Sequence, residues 1–412
     1  MSVVSVCDIP LEKYKEVVGE KKVIEIESIA EKISSQTVCH INSTSHGGGV
    51  SEILHRLVPL MRSVGIKAEW KVIKGSDKFF RITKTLHNGL QGMEISLTDE
   101  MKRTYLYTNE ENAKELNLKD YSFVIIHDPQ PAAIISNYPG RHGKWIWRCH
   151  IDLSTPNQTA INFISPFLLQ YDVLIFSMAQ YVPDFLKSKH VSIIPPSIDP
   201  LSDKNKPLKE AEIFSILDKY DVNPENPIIT QVARFDPWKD PLGAIDVYRI
   251  VKKKMPKTQL LLIASMALDD PEGWIYYEKT ARYAGGDYEI HLLTDLIGVR
   301  DKEVNAFQRA SDVALQMSIR EGFGLSITEA LWKETPVVAR AVGGIPLQVK
   351  DGKTGFLINN PQEAAEKIVY LLPHKDEAKK IGKRGKKHVL QNFLVTRHLE
   401  DYIKLFRKIQ AP

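Results

Sequence analysis

The amino-acid sequence predicts an α/β protein built from two successive, doubly wound parallel sheets. Short apolar runs alternate with helix-compatible segments, and several runs are continuous, as in strands buried on both faces. A proline-rich, charged stretch at 195–210 interrupts this alternation, which then starts again. The length of 412 residues also exceeds the roughly 250–300 at which a single hydrophobic core stops growing. We therefore expect two domains.

Apolar runs on both sides of the break are predicted to be strands. A helix is predicted at 50–65, where Ile53, Leu57 and Leu60 repeat at helical spacing, and another at 396–409. Ligands of parallel sheets bind beyond the carboxyl ends of the strands, so functional residues should directly follow strands. The predicted strands are 37–42, 68–73, 123–128, 145–150, 173–177 and 191–196, then 227–233, 259–265, 289–294, 312–317, 336–340 and 355–358.

Composition and charge argue against several classes of function. The 55 basic and 51 acidic residues leave a net charge of +4, which is too balanced to indicate nucleic-acid or membrane binding. The longest apolar run is too short to cross a bilayer, and the N-terminus lacks the pattern of a signal peptide. Cys7, Cys39 and Cys149 have no metal-ligand spacing. We expect a cytoplasmic protein with no metal site and with neither a nucleic-acid nor a membrane partner.

Gly47, Gly48 and Gly49 stand between the first predicted strand and its following helix. Glycine lets the main chain approach a ligand closely and adopt positive φ. The helix N-terminus that follows favours an anion such as a diphosphate. The run matches neither a GxGxxG nor a Walker loop, so a tight strand–helix turn is the competing interpretation. The residues alone leave both interpretations open.

Arg234 and Lys239 lie in the loop VARFDPWKD, directly after the first strand of the second half. Prolines restrict this loop, so two cations at a strand end can converge on a diphosphate. Arginine would offer a planar fork and lysine a point charge. A solvated basic turn is the alternative interpretation of an isolated R-x4-K spacing.

Glu321 and Glu329 bracket a glycine-rich turn and a predicted helix start in REGFGLSITEALWKE. A carboxylate can accept hydrogen bonds from a pair of sugar or ribose hydroxyls. A fully helical path would put the two about 12 Å apart, whereas a retaining glycosidase pair needs about 5–5.5 Å. The spacing therefore does not favour a hydrolase. Two surface glutamates are the alternative interpretation.

His150 and Asp152 follow a strand in WRCHIDLS, and His127 and Asp128 occupy a similar strand exit in VIIHDPQP. A lone histidine is more often structural than functional. The position at a strand end favours a functional role here. The sequence contains no HExxH motif and no Cys/His cluster with metal-ligand spacing.

The order of these motifs resembles the retaining glycosyltransferases of family 4, which have the GT-B fold. The stretches NSTSHGGGVSEILH, HDPQPAA, WRCHIDLS, RFDPWK, DDPEGWIYYEKT and REGFGL are similar to those of the archaeal-type trehalose glycosyltransferring synthases. The resemblance implies two Rossmann-like domains that face each other across a cleft. They would be an acceptor domain at 1–205 with an N-terminal helical extension and a donor domain at 206–390. A C-terminal helix at 391–412 would pack back on the first domain.

The resemblance also implies an activity, a retaining and reversible transfer of glucose from NDP-glucose to glucose that makes α,α-trehalose. A nucleotide sugar and a monosaccharide would be the substrates, no cofactor would be tightly bound, and Mg²⁺ would be auxiliary. A homodimer is expected, and the base, for example in UDP-glucose or ADP-glucose, is left open. The alternatives are a trehalose phosphorylase that uses inorganic phosphate, another family-4 hexosyltransferase such as a sucrose-type synthase, and a non-enzymatic sugar-nucleotide sensor.

Site roles follow from the same resemblance. Arg234 and Lys239 would bind the donor diphosphate, and Glu329 the ribose hydroxyls. Glu321 would hold the transferred glucose, with His150 near its reacting centre. The catalytic residues would thus be Arg234, Lys239, Glu321 and His150. Further donor contacts are expected at Gly48, Gly49, Gly322, Phe323, Gly324 and Leu325, and acceptor contacts at Gly47, Asp128 and Asp152.

Overall fold

Two units, each with its own parallel sheet, make up the protein. The structure is a computed structural model that describes residues 3–46, 48–266 and 271–410. Contacts within the chain separate Met1–Ser197 and Val395–Pro412 from Ile198–Leu394. Each unit contains a six-stranded sheet in which all the neighbouring strands pair in parallel. All the predicted strand runs coincide with observed strands, so this part of the prediction is confirmed.

The sheet of the first unit consists of strands β1 to β6 in the order β2-β1-β3-β4-β5-β6, where β1 is Thr37–Asn42, β2 Lys67–Val72, β3 Phe123–His127, β4 Lys144–Arg148, β5 Val173–Phe176 and β6 Val191–Ile193. The chain leaves β1 towards β2 and resumes at β3 on the other side of β1. The strand order therefore switches direction between β1 and β3, which is where ligands of such sheets bind.

Helices connect these strands. They are α1 (Lys15–Val18), α2 (Glu20–Glu31), α3 (Gly48–Ser63), α4 (Asp77–Leu90), α5 (Asp99–Leu116) and α6 (Gln158–Leu168), with 3-10 turns at Leu11–Tyr14, Ala132–Asn137, Ala179–Tyr181 and Asp184–Leu186. The starts of α4, α5 and α6 are set locally, because the side chains of Ser76, Thr98 and Asn157 each accept a main-chain N–H of the first turn.

The sheet of the second unit has the order β12-β11-β10-β7-β8-β9, where β7 is Ile228–Val232, β8 Gln259–Ala264, β9 Ile290–Thr294, β10 Val313–Gln316, β11 Val337–Arg340 and β12 Gly355–Ile358. Its helices are α7 (Glu210–Lys219), α8 (Pro241–Lys254), α9 (Pro271–Ala284), α10 (Asp301–Ala310), α11 (Leu325–Trp332), α12 (Ile345–Gln348), α13 (Pro361–Leu371) and α14 (Lys375–Asn392), with 3-10 turns at Pro237–Lys239 and Asp295–Ile297. Here the strand order switches direction between β7 and β10.

The last helix, α15 (Val395–Gln410), groups with the first unit. Its predicted apolar face is buried, since Leu399, Ile403 and Phe406 have no exposed surface. The ring of Phe406 stacks on that of Phe123 in β3, with centroids 4.3 Å apart. The helix therefore packs on the sheet of the first unit.

The unit boundaries differ from the predicted domain limits at 205 and 391. The first boundary lies between Ser197 and Ile198, because the segment that follows is bonded to the second unit. Asn305 donates to the carbonyl of Asp203 at 2.9 Å, and Lys333 donates to the side-chain oxygen of Asn205 at 2.9 Å. The second boundary lies after Leu394, at the start of α15. Among the residues with described placement, no helix is long and apolar enough to span a membrane.

The close approach of α14 to the end of α11 gives a test of packing in the second unit. A Cβ added at Gly382 would lie 1.8 Å from the carbonyl oxygen of Glu334. Main chain cannot yield as a side chain can, so we expect Gly382→Ala to lower the free energy of unfolding by about 1–3 kcal/mol. Gly286→Ala is the matched control, because nothing lies within 4 Å of its added Cβ. Denaturant unfolding of both variants should separate them; equal stabilities would contradict this packing.

Candidate active site

Charged residues of the second unit meet at the point where its strand order switches direction. Lys239 follows β7 and Glu321 follows β10, and these strands are neighbours in the sheet. The ammonium of Lys239 donates to Oε2 of Glu321 at 2.7 Å, and the two side chains are only 18% and 9% exposed. Ser318 Oγ donates to the same carboxylate oxygen at 3.2 Å. The strand-end position predicted for both residues thus produces a largely buried ion pair.

The loop that carries Lys239 is held on both sides. Oδ1 of Asp236 accepts the main-chain N–H of Lys239 at 3.0 Å, which caps the short 3-10 turn. The carbonyl of Trp238 accepts the N–H of Ile319 at 2.7 Å, and Gln231 Nε2 donates to the carbonyl of Lys239 at 3.1 Å. Because these bonds link the loop after β7 to the loop after β10, the ammonium and the carboxylate are positioned together.

Arg234 lies at the same strand exit but differs in exposure. Its Nη2 is 3.1 Å from Oδ2 of Asp236, and its side chain is 66% exposed. The alternative interpretation of a solvated basic turn therefore fits the side chain of Arg234 and is wrong for Lys239. Asp236 links the two cations, since one carboxylate oxygen caps the turn of Lys239 and the other faces Arg234.

The glycine-rich turn after β10 leads into α11. Gly324 has φ +85°, a conformation that favours glycine, and its added Cβ would lie 3.3 Å from Cγ of Glu321. The carbonyl of Gly322 accepts the N–H of Gly344 at 3.2 Å, and the ring of Phe323 is buried. Leu325 begins α11, whose first turn presents main-chain N–H groups. Of the predicted donor contacts, the side chain of Phe323 belongs to the core.

Glu329 lies within α11 and is 3% exposed. Its Oε1 is 3.8 Å from the ammonium of Lys204, a distance that gives attraction without a hydrogen bond. The alternative interpretation of two surface glutamates is wrong, because both carboxylates are largely buried and have cationic neighbours. Burying a charged carboxylate costs free energy even when a cation is nearby. The position of Glu329 therefore indicates a role other than stability.

Three histidines form a hydrogen-bonded row in the first unit, where its strand order switches. Nδ1 of His40 is 3.0 Å from Nε2 of His127, and Nδ1 of His127 is 2.9 Å from Nε2 of His150. His40 and His127 are buried and His150 is half-buried. Loss of hydration lowers the pKa of all three, that of His40 to about 3, so the rings are neutral at neutral pH.

Asp128 is joined to this row. Its Oδ1 accepts the main-chain N–H of His150 at 2.8 Å, and its carbonyl accepts the indole N–H of Trp147 at 2.9 Å. Its φ of +63° is uncommon for a residue other than glycine. Loss of hydration raises the pKa of Asp128 to about 7, against which the N–H of His150 and the charge of Arg148 act. A carboxyl group that titrates near neutral pH is a common feature of functional sites.

Asp152 and the glycine run are the other predicted site residues of the first unit, and their described contacts and backbone conformations are local. Oδ1 of Asp152 accepts the N–H of Ser154 at 2.8 Å, which closes a local turn. Gly48 and Gly49 begin α3, and Gly48 has φ +79°, so its backbone conformation itself favours glycine. Gly47 lies outside the described residues. Among residues 3–46, 48–266 and 271–410, no group of three or more His, Cys, Asp or Glu side chains could hold a metal ion.

Some residues of these clusters were not predicted as site residues from the sequence. His40 lies within a predicted strand, and Arg148 lies two residues before His150 in another. Both are fully buried. A titratable or charged residue inside a continuous apolar run is a signal in itself, because burying it is costly without a partner or a role. The sequence gives no such signal for Ser318 and Asp236, since serine and aspartate are ordinary loop residues. Their contacts with Glu321 and Lys239 could not be predicted.

Each of the two units matches a different family model. Residues 40–183 match the N-terminal domain of trehalose synthase, and residues 213–388 match the glycosyl transferases of group 1. The trehalose synthase of Thermococcus litoralis is 57% identical to the chain over 396 residues, which cover 96% of each protein. The chain belongs to the trehalose synthase family. The resemblance inferred from the motifs is thereby confirmed.

More distant matches concern the fold and the alternatives. A UDP-forming α,α-trehalose-phosphate synthase structure from Burkholderia xenovorans matches with a TM-score of 0.73 and 14% identity, over 92% of this chain and 100% of that one. This likeness confirms the GT-B fold class. A trehalose phosphorylase of Pleurotus pulmonarius is 27% identical, and the match covers 84% of this chain but 54% of the phosphorylase. The glycosyltransferase family is thus shown, and the phosphorylases are distant relatives.

The raised pKa of Asp128 predicts a pH dependence of definite sign. With a folded pKa of about 7 against an ordinary 3.8, the folded chain keeps a proton that the unfolded chain has lost, and stability falls as the pH rises between these values. Asp128→Asn keeps an oxygen for the N–H of His150 but does not titrate. We expect its unfolding free energy, relative to the parent protein, to rise by about 2–4 kcal/mol from about pH 4 to about pH 8. Denaturant titrations across this range measure it, and parallel pH curves for the two proteins would contradict the assignment.

Proposed function

We propose that the protein is a retaining glucosyltransferase that makes α,α-trehalose from NDP-glucose and glucose, and that the reaction is reversible. The observation that carries this proposal is the largely buried pair of Lys239 and Glu321 at the switch point of the second sheet. Lysine suits a phosphate and a carboxylate suits sugar hydroxyls. The high identity to a trehalose synthase supports glucose as the acceptor.

The donor is assigned to the second unit. The ammonium of Lys239 and the exposed guanidinium of Arg234 would bind the diphosphate. Glu321 would accept hydrogen bonds from hydroxyls of the transferred glucose, and main-chain N–H groups at the start of α11 would assist. Glu329, buried within the same helix, would accept the hydroxyls of the ribose. Such a role would give both carboxylates a function that offsets the cost of burying their charge.

The chemistry follows from the charges that develop when the anomeric C–O bond breaks. The sugar gains positive charge and the leaving diphosphate gains negative charge. Lys239 is already fixed by Glu321 and by its capped turn, so no reorganisation is needed when the negative charge appears. Glu321, on the sugar side, offers a negative charge to the oxocarbenium-like centre. The ion pair thus matches the charge separation of the transition state.

The acceptor is assigned to the first unit. His150 would contact the transferred glucose near its reacting centre, and Asp128, bonded to the main chain of His150, would bind the acceptor glucose. Asp152 is a weaker acceptor candidate, because it already closes a turn. Gly47 would contact the acceptor, and Gly48 and Gly49 would contact the donor phosphate. We favour transfer on the same face of the donor, with the leaving phosphate taking the proton of the acceptor hydroxyl. Isolation of a covalent glucosyl–protein adduct would overturn this mechanism.

A panel of donors and acceptors tests the activity. Purified protein is given UDP-, ADP- or GDP-glucose with glucose, glucose 6-phosphate or fructose, and NDP release and the disaccharide are measured. We expect NDP and α,α-trehalose with glucose, because a neutral hexose needs no anion site on the acceptor side. A different disaccharide would indicate another hexosyltransferase, and no turnover would favour a sensor. Addition of Mg²⁺ or a chelator should change the rate only modestly.

The reverse reaction separates the two trehalose activities. Trehalose is supplied with either a nucleoside diphosphate or inorganic phosphate, and glucose release is measured. We expect release with the nucleoside diphosphate, because Glu329 would hold a ribose that phosphate lacks. Release with phosphate alone would identify a phosphorylase and would reject the proposal.

Variants of the cations test the proposed mechanism. Removing one fixed donor from a developing anion typically costs about 10²–10³ in kcat, so we expect Lys239→Gln and Arg234→Ala each to lose about this much. Lys302→Gln is the control, because Lys302 makes an ion pair of similar length, 2.8 Å with Glu212, on the surface of the same unit. Steady-state kinetics and a circular dichroism spectrum of each variant are required. Near-normal turnover of Arg234→Ala would remove Arg234 from the mechanism.

A further inference from the structure

Two main-chain carbonyls of the glycine-rich turn after β10 are held by the segment that contains α12. The carbonyl of Gly322 accepts the N–H of Gly344 at 3.2 Å. The carbonyl of Phe323 accepts a hydrogen bond from Nε2 of Gln348. A Cβ added at Gly344 would lie 2.8 Å from Cα of Phe323, so the two segments are in direct contact. Two successive peptide units of the turn therefore present their oxygens to the same neighbouring segment.

The direction of these carbonyls fixes the direction of the N–H groups that share their peptide units. In a trans peptide the C=O and N–H bonds lie in one plane and point in opposite directions. None of the described peptide bonds is cis. The N–H groups of Phe323 and Gly324 therefore point away from α12. Neither of them donates to another residue in the described part of the chain, so both are available to a ligand.

The orientation of the Gln348 side chain is fixed by its neighbours. Its Nε2 faces two carbonyl oxygens, that of Phe323 and, at 3.4 Å, that of Gly344. Its Oε1 accepts the hydroxyl of Thr328 at 2.5 Å. A flipped amide would place its own oxygen against both carbonyls, which only accept, so the observed orientation is the one that satisfies every group. Gln348 has no exposed surface, and bulk water does not compete for these bonds.

The same side chain connects the two elements that carry the glutamates assigned to the donor. Phe323 lies two residues after Glu321, and Thr328 directly precedes Glu329 in α11. Gly324 lies against the side chain of Glu321, since a Cβ added at Gly324 would be 3.3 Å from Cγ of that glutamate. The peptide that Gln348 holds is therefore next to the carboxylate assigned to the transferred glucose.

We propose that Gln348 is a positioning residue for the sugar nucleotide, because it holds the Phe323–Gly324 peptide with the N–H of Gly324, and not the carbonyl of Phe323, towards the donor. The location of the donor at this turn rests on the proposed function, whereas the orientation of the peptide does not. Gln348 acts through the turn, and Thr328 acts by fixing the amide of Gln348. Rotation of this peptide would replace a hydrogen-bond donor by a carbonyl oxygen, which repels the oxygens of a diphosphate.

Substitution of Gln348 by methionine tests this role. Methionine is of similar length and apolar, so the carbonyl of Phe323 loses its donor in a buried site. We expect Gln348→Met to raise the KM of the nucleotide sugar about 10- to 100-fold, as for the loss of one hydrogen bond to a charged group. The KM of the acceptor glucose should stay unchanged, because the acceptor is assigned to the first unit. Steady-state kinetics with the donor that gives turnover in the panel measure both constants.

Gln259→Met is the matched control for the loss of a buried amide. Gln259 is also fully buried, and its amide bonds the main chain of Asn223 at both ends, at 2.7 and 2.9 Å. It begins β8, so it lies at the opposite end of the sheet from the strand exits. We expect this variant to be less stable but to keep the donor KM of the parent protein. An equal rise of donor KM in both variants, or an unchanged donor KM in Gln348→Met, would reject the proposal.

Gln348→Glu gives a readout that packing alone does not change. Glutamate has the same size, but its ionised form has no N–H, whereas its protonated form can donate to the carbonyl of Phe323. Burial raises the pKa of a carboxyl group, in documented cases to about 8–9. We expect the donor KM of this variant to be near that of the parent protein at about pH 5 and to exceed it increasingly as the pH rises through this pKa. A ratio of the two KM values that does not depend on pH would contradict the proposal.

The other ionisable groups near this site are common to the two proteins. Their titration therefore cancels in the ratio of the two KM values. They are Glu321 of the turn, Glu329 of α11, and Lys350 and His388, whose side chains bond main-chain carbonyls of α12.

Crystal structures of the ligand-free proteins test the orientation of the peptide without any substrate. We expect the carbonyl of Phe323 to point towards α12 in the parent protein and to have turned away from it in Gln348→Met, because a buried carbonyl without a donor is costly. An unchanged peptide in the variant would overturn the proposal. If the parent protein makes no trehalose in the donor panel but the peptide turns as expected, then the proposed function fails and the role of Gln348 in orienting the turn stands.

Discussion

The protein depends on a constraint of parallel sheets, which is that every connection must cross from one end of the sheet to the other. When the chain winds first to one side of a starting strand and then to the other, the loops after two central strands diverge and leave a space. In the second unit this space lies between the loops that follow β7 and β10, and the ion pair of Lys239 and Glu321 bridges these loops. The sheet order therefore decides which loops can share a ligand.

The same constraint acts in the first unit with different chemistry. There the strands at the switch point carry histidines instead of opposite charges, and hydrogen bonds join them into a row. The row lies beside a buried arginine and beneath α15, which returns from the end of the chain to cover the sheet. Burying a cation and several imidazoles is costly, so a fold selected for stability alone would place apolar side chains there. The cost therefore indicates that stability alone does not account for this row.

The two units also differ in how their sites use charge. In the second unit opposite charges are paired and nearly buried, which fixes both side chains in position. In the first unit burial is the largest effect, which keeps the histidines neutral and brings the pKa of Asp128 to about 7. One unit thus carries a fixed pair of opposite charges, and the other carries neutral hydrogen-bonding groups.

The sequence by itself determined the strands, the doubly wound class and the strand-end positions of Arg234, Lys239, Glu321 and His150, because buried parallel strands are continuous apolar runs that local pattern reveals. It also carried enough motifs to identify the family. Only the tertiary structure decided that Lys239 pairs with Glu321 while Arg234 remains exposed, that His40 joins His127 and His150 in a hydrogen-bonded row, and that the segment after Ser197 joins the second unit. These facts depend on strand order and on side-chain contacts between distant segments, and no local pattern in the chain encodes them.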